Sequence, residues 1–171
     1  MSNSFKYQGA TISKALIKSN ETDEEVDISG CIECAYVESI YDDTIRVQYT
    51  IANTSGTVDG KTLLEGLPLV GTEDFKLVIE DGSGNSIEAN LNVNKVRIID
   101  KDNRKEILSI SFVSEELIKN ENEFNAVRIR HNGKISQSVK DILTNNLGTE
   151  KELFIDETST VSYTHLRAHE T

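Results

Sequence analysis

The chain has 171 residues, with 18 Lys and Arg against 29 Asp and Glu, a formal charge of −11 and a sequence pI near 4.7. Its length suits one domain or one and part of another, and 37% hydrophobic with 27% charged residues marks a globular chain and not a disordered one. The excess of acid argues against phosphate binding as the main task, and two Cys and one Pro exclude a disulfide scaffold and a Pro-rich linker protein. No apolar run approaches the ~20 residues that span a bilayer, and the opening MSNSFKYQGA carries no secretory signal.

Ile and Val together number 30, against 20 for Leu and Ala. Branched side chains are restricted against a helical turn and fit a pleated surface, so the composition predicts a mainly β chain. Val26, Ile28, Ile32 and Tyr36 share one parity. Ile45, Val47, Tyr49 and Ile51 alternate with Arg46, Gln48 and Thr50. With a turn at Tyr41-Asp42-Asp43-Thr44, residues 26–52 read as one long antiparallel pair. Residues 55–60 (SGTVDG) read as a loop, and Leu63, Leu64, Leu67, Leu69 and Val70 as a short apolar segment around Pro68.

Phe75, Leu77 and Ile79 begin another strand, reversed at Asp81-Gly82-Ser83-Gly84-Asn85 by residues that tolerate positive φ. Ile87, Ala89, Leu91 and Val93 return. The phase then slips so that Val96 and Ile98 continue the apolar face, which predicts a bulge. After a polar turn at 101–105, Leu108, Ile110 and Phe112 form the next strand, and Val127 with Ile129 a shorter one. Two helices are expected. One follows Ser114 through Glu115, Glu116, Leu117 and Ile118. The other has Ser136 as N-cap, apolar residues Ile135, Val139, Ile142, Leu143 and Leu147 at helical spacing, and Gly148 at its C-terminal end. Leu153, Phe154 and Ile155 read as the start of one more strand.

Little here reads as chemistry. Cys31-Ile32-Glu33-Cys34 is a lone C-x-x-C with no second Cys or His pair to complete a tetrahedral zinc site. Placed in a strand, the two thiols should point to opposite faces, away from any helix N-terminus that would activate them. His131 sits in an expected turn, and His165 and His169 near the end of the chain. The acidic clusters at 21–25 and Glu115-Glu116 lack calcium-loop spacing, and Arg128, Arg130 and Lys134 are too few for nucleic-acid affinity. No catalytic, metal or cofactor residues are assigned, and no enzyme activity is expected.

Residues 26–157 resemble the first tube domain of the baseplate hub protein of contractile-tailed bacteriophages, an arrangement shared by the spike protein of type VI secretion. The matching pieces, in order, are Val26-Asp27-Ile28-Ser29-Gly30, Tyr41-Asp42-Asp43-Thr44, Leu64-Glu65-Gly66-Leu67-Pro68-Leu69 before the strand of Phe75, and Gly133-Lys134-Ile135-Ser136 leading to Val139-Lys140-Asp141-Ile142-Leu143. The resemblance implies a mainly β fold with two helices (α+β) of the tube type, an antiparallel β-barrel or sandwich. It implies a structural virion protein in the ring that joins tail tube to central spike. Its partners would be other hub subunits in a homotrimer, the tube and spike proteins, and DNA only as cargo passing through, with no membrane and with assembly in the host cytoplasm.

On this reading residues 1–25 are an N-terminal arm, 26–150 the tube domain and 151–160 the start of a truncated following domain. Residues 161–171 (VSYTHLRAHET) resemble translated sequencing adapter. Strand residues Val47, Tyr49, Ile51, Leu77, Ile79, Leu91 and Val93 are expected at the subunit interface. The acid excess would keep passing DNA from sticking within a Debye length of ~8 Å, an idea that a basic lumen would overturn. Two alternatives come from other classes. One is a free-standing β-rich binding or adhesion module, which should cluster aromatics on an exposed face; the other is an enzyme built on Cys31 and Cys34.

Overall fold

The computed structural model describes residues 9–54, 63–67, 69–102, 105–122, 126–128, 132–159 and 161–163. The expected loop at 55–60, residues 103–104 of the expected turn at 101–105, Pro68, Ile129 and all three histidines lie outside these. The chain divides into two compact units, Met1–Glu115 and Glu116–Thr171.

The first unit is a seven-stranded antiparallel sheet: β1 (Thr11–Lys18), β2 (Glu25–Asp27), β3 (Cys31–Val37), β4 (Arg46–Thr54), β5 (Asp74–Glu80), β6 (Ser86–Asp102) and β7 (Lys105–Val113), with a one-turn helix α1 (Leu63–Gly66) between β4 and β5. The order across the sheet is β2-β1-β5-β6-β7-β4-β3. The mainly β class with helices is therefore as the composition predicts. The strands at 45–51, 75–79, 87–98 and 108–112 fall where the alternation puts them. The phase slip after Val93 is a real bulge, since the β6–β7 register shifts between Val93 and Lys95. The reversal at 81–85 is closed by Asp81, whose carboxylate accepts from the backbone N–H groups of Ser83 (2.8 Å) and Asn85 (2.9 Å), and by Gly84 at φ +87°.

Two departures concern the start of the chain. The segment expected as an N-terminal arm supplies β1, which lies between β2 and β5 and sends Ala15 and Ile17 into the core. Residues 26–52 are also not one hairpin. β3 pairs with β4 as expected, but β2 pairs with β1, at Leu16 with Asp27 through Lys18 with Glu25.

That switch shapes the unit. β2 and β3 are the two end strands of the sheet, yet only residues 28–30 separate them. Four Cα steps reach at most about 14 Å, so the sheet must curl until its ends approach each other. Ile28 sits at this junction. Its N–H donates to the Ala15 carbonyl at 2.8 Å, and its carbonyl accepts from the Tyr49 hydroxyl at 2.8 Å. The Ser29 hydroxyl completes the corner by accepting the Ala15 N–H at 3.1 Å.

The concave side holds the core. Phe75 and Phe112 stack with ring centroids 3.7 Å apart, and Tyr49 meets both edge-on, at 5.7 and 6.4 Å. Val47, Ile51, Leu77, Leu91, Val93, Leu108 and Ile110 surround them, joined by Leu63 of α1 and Leu67 just after it. The expected segment around Pro68 is thus a plug of two leucines, while Val70 is exposed. The turn after it is built on Glu73, a fully buried carboxylate that accepts the N–H groups of Val70 (2.5 Å) and Gly71 (3.0 Å).

The second unit carries most of α2 (Glu115–Glu121), then β8 (Asn132–Lys134), α3 (Ile135–Asp141) running into a π-turn at Ile142–Asn146, and β9 (Val161–Tyr163) paired with β8. Both expected helices are present. Gly148 ends the second in the left-handed conformation at φ +56°, as its position predicts. Ser136 does not cap it. It lies inside the helix, buried, and exchanges bonds with Thr158: the Ser136 N–H donates to the Thr158 hydroxyl (3.1 Å) and the Thr158 N–H to the Ser136 hydroxyl (3.2 Å). A residue distant in sequence thus satisfies an orphan donor of the first turn. Residues 126–128 and 153–155 are irregular rather than strands, and Phe154 is 87% exposed. The first three residues of the adapter-like ending form β9.

Candidate functional site

The interface residues expected from the sequence all lie on the concave side. Val47, Tyr49, Ile51, Leu77, Leu91 and Val93 are buried, and Ile79 is partly buried against them. Their side chains build the chain's own core and cannot present a docking surface. What the sheet offers to another strand is backbone. β3 is an end strand paired only with β4, and Ile32 (57% exposed) and Val37 (48%) stand out from it. β1 pairs with β2 only from Leu16 to Lys18, and the junction bonds stop at Ala15. Beyond Ala15 the sheet order holds no β1–β3 pairing, so among the described residues a seam stays open between the two rims.

The cysteines depart from expectation in an instructive way. The β3–β4 register shifts between Cys31 and Glu33. This bulge turns Ile32 outward and brings Cys31 onto the same face as Cys34 and Tyr36, where all three pack against the core. Both thiols are free. Burial, with Cys31 close by, pushes the Cys34 thiol up to about 11, so it is protonated and unreactive at neutral pH. Burial also raises the Tyr49 phenol far above its usual value, with Cys31 adding to the effect. Burial thus holds both the Cys34 thiol and the Tyr49 phenol in their protonated forms at neutral pH.

Four aromatics follow the core parity, while Tyr41 and Phe154 are exposed. Tyr49, Phe75 and Phe112 are buried and Tyr36 is half-buried, its hydroxyl donating to Glu38 at 2.9 Å. They form no exposed cluster of the kind a sugar-binding face uses.

Two hollows on the convex side are formed by described residues. One, of about 390 Å³, lies on β1, β5 and β6, where Lys14, Lys18 and Lys76 alternate with Glu25 and Asp74. Its cations are largely matched: Lys18 pairs with Asp23 at 3.0 Å, Lys76 with Glu88, and Asn92 donates to Asp74 at 3.0 Å. Such exposed pairs add little to stability and leave the surface nearly neutral. The second hollow, of about 170 Å³, lies on β4, β7 and β6 among Gln48, Ser109, Ser111, Lys95 and Arg97. No carboxylate lines it. Sequence reasoning missed it because its residues come from strands more than 60 positions apart; only the register places Ser111 beside both Gln48 and Lys95, and Ser109 beside Arg97.

No group of three or more His, Cys, Asp or Glu able to hold a metal occurs among the described residues. No described helix is long and apolar enough to cross a membrane. No known family model matches the chain, and no curated protein matches it.

Proposed function

We propose that the chain is a structural subunit, the tube-type domain of a contractile-phage baseplate hub, standing in the ring between tail tube and spike. The observation that carries this reading is the open seam: a strongly curled antiparallel sheet in which, among the described residues, β3 and the first half of β1 are each paired on one side only. A free, partly apolar sheet edge is a template for another strand, and ring closure by neighbouring copies is one way to satisfy it. The order of hairpin, LEGLP segment, hairpin and terminal helix supports the same assignment. The partners that follow are further copies of the chain, a tube ring above and a spike below, in a virion. The contact runs through backbone rims and not through the concave-face side chains.

The test is the mass in solution by light scattering across a concentration series, with imaging of any rings formed. The wild-type chain should form discrete oligomers. I32K/V37K, which places charges at two exposed positions of the β3 rim, should return monomers with unchanged circular dichroism. A wild-type chain that stays monomeric at high concentration would favour the free-standing binding module instead. Oligomers indifferent to I32K/V37K would exclude the β3 rim.

A further inference from the structure

We infer that the small hollow on the convex face of β4, β7 and β6 is a binding site for a phosphoryl-type oxyanion. The inference rests on that face alone and is independent of the hub assignment. The pocket is lined by Lys95 and Arg97 from β6, Ser109 and Ser111 from β7 and Gln48 from β4. Every polar side chain there can donate a hydrogen bond, and two carry permanent positive charge.

The cations are uncommitted. Neither Lys95 nor Arg97 makes an ion pair or a side-chain hydrogen bond among the described residues, whereas Lys18, Arg46, Lys76, Lys101, Lys134 and Lys151 are all paired. The acids of this face lie outside the lining. Asp100 stands opposite Ile107, one row beyond Arg97 and Ser109; Glu33 lies opposite Thr50, one strand outside the pocket, and Asp43 is bound by Arg46 at 3.1 Å. On a chain of net charge −11, two cations side by side in a hollow that no carboxylate lines form a local spot of positive charge.

The polar groups are also pre-set. The Gln48 amide N–H donates to the Ser109 hydroxyl oxygen and, at 3.4 Å, to the Ile110 carbonyl. Ser109 accepts in this bond and keeps its own proton available to donate. Arg97 is the register partner of Ser109, and Lys95 of Ser111, so a cation and a hydroxyl stand together in each of two adjacent rows. The bulge between Val93 and Lys95 creates this arrangement, because it turns Lys95 and Arg97 to the convex side while Val93 stays in the core. The volume of about 170 Å³ corresponds to nearly six waters at ~30 Å³ each, room for one tetrahedral group of five heavy atoms. A planar guanidinium, a point-charge ammonium and two hydroxyls suit the oxygens of such a group.

The experiment uses the full chain, at constant ionic strength balanced with chloride, and follows backbone amide shifts and melting temperature. Three probes are titrated separately: inorganic phosphate, phenyl phosphate as a monoester, and a short oligothymidylate as a phosphodiester. Phosphate should give saturable shifts centred on β6 and β7. Both K95Q and R97Q should weaken it by about tenfold or more, the effect expected for losing one charge-assisted bond. K14Q, in the other hollow, should change nothing. Preference for phenyl phosphate would identify a monoester as the source. Preference for oligothymidylate, falling steeply with salt, would identify a nucleic-acid backbone. Shifts that never saturate, that match those from chloride alone, or that persist unchanged in K95Q/R97Q would overturn the assignment. All the substituted side chains are exposed, and an unchanged melting temperature without ligand checks that the fold is retained.

Discussion

In the sheet unit, β1, β4, β5, β6 and β7 each bury apolar side chains in one continuous cluster, which Leu63 of α1 and the following Leu67 join. In the unit of residues 116–171, the described buried side chains are only Leu117, Ser136 and Leu147, while Ile135, Val139 and Phe154 stay exposed. That second unit is instead laced by polar links. Glu116 accepts from Lys151 (2.7 Å) and Thr149 (2.6 Å), Lys119 donates to the Gly148 carbonyl (3.3 Å), and Ser136 and Thr158 exchange two bonds. Curling lets a sheet bury its whole apolar face against itself, whereas a seven-residue helix with one short ribbon has too little surface to do so. The sheet unit should therefore owe its stability to packing, and the second unit to exposed contacts worth little individually.

Substitutions can break this contrast. The largest effect is expected for Phe112→Ala, which removes the ring stacked on Phe75 and leaves a cavity in the sheet core. A loss of about 3–5 kcal/mol should appear in urea denaturation followed by circular dichroism. A loss below ~1 kcal/mol would show that the aromatic trio is not the centre of the core. Next comes Glu73→Ala, which strips the Val70 and Gly71 N–H groups of their buried acceptor and should lower stability by about 1–3 kcal/mol.

Tyr49→Phe keeps the ring and removes one hydroxyl. It leaves the Ile28 carbonyl without that donor at the junction of the sheet's ends, for a loss of about 1–2 kcal/mol by the same measurement. If Tyr49→Phe is neutral, the junction is held by the Ala15 bonds alone.

The smallest effects belong to the second unit. Burial by itself would raise the Glu116 carboxyl, but the bonds from Lys151 and Thr149 outweigh it and hold the group below the usual glutamate range. A depressed folded value means that this carboxylate stabilises the fold above the unfolded value near ~4.3 and stops doing so as pH falls through the folded value. Acidification below about 4.3 should therefore loosen the Thr149 and Lys151 amide signals in nuclear magnetic resonance. Glu116→Gln should remove that pH dependence at a cost of about 0.2–1 kcal/mol. An identical acid profile in Glu116→Gln would refute the link.

Much of the sheet was legible along the chain because one-sided burial imposes a period of two. Val47-Tyr49-Ile51, Phe75-Leu77 and Leu108-Ile110-Phe112 all point inward, as their alternation requires. The bulge after Val93 was readable for the same reason, since it appears as a break in that period. The bulge at Cys31–Glu33 was not: with Ile32 apolar, the pattern Val26, Ile28, Ile32, Tyr36 stays in phase through it, and only pairing with β4 reveals that Ile32 faces outward. β1 was missed because TISKALIK carries two lysines on its outer face and reads as a polar arm until β5 lies beside it.

The interface residues were misplaced for a deeper reason. Alternation says that one face of a strand is buried, and is silent on whether the chain or a neighbour covers it. By itself, then, the amino-acid order determined which segments are extended, which side of each avoids water, and where two helices stand. Tertiary structure alone decided that residues 28–30 draw the sheet's two ends together, so that its apolar face encloses itself. It also decided that Gln48, Lys95, Arg97, Ser109 and Ser111 meet in one hollow. Both are matters of strand order and register, set by hydrogen bonds between distant segments that no local pattern encodes.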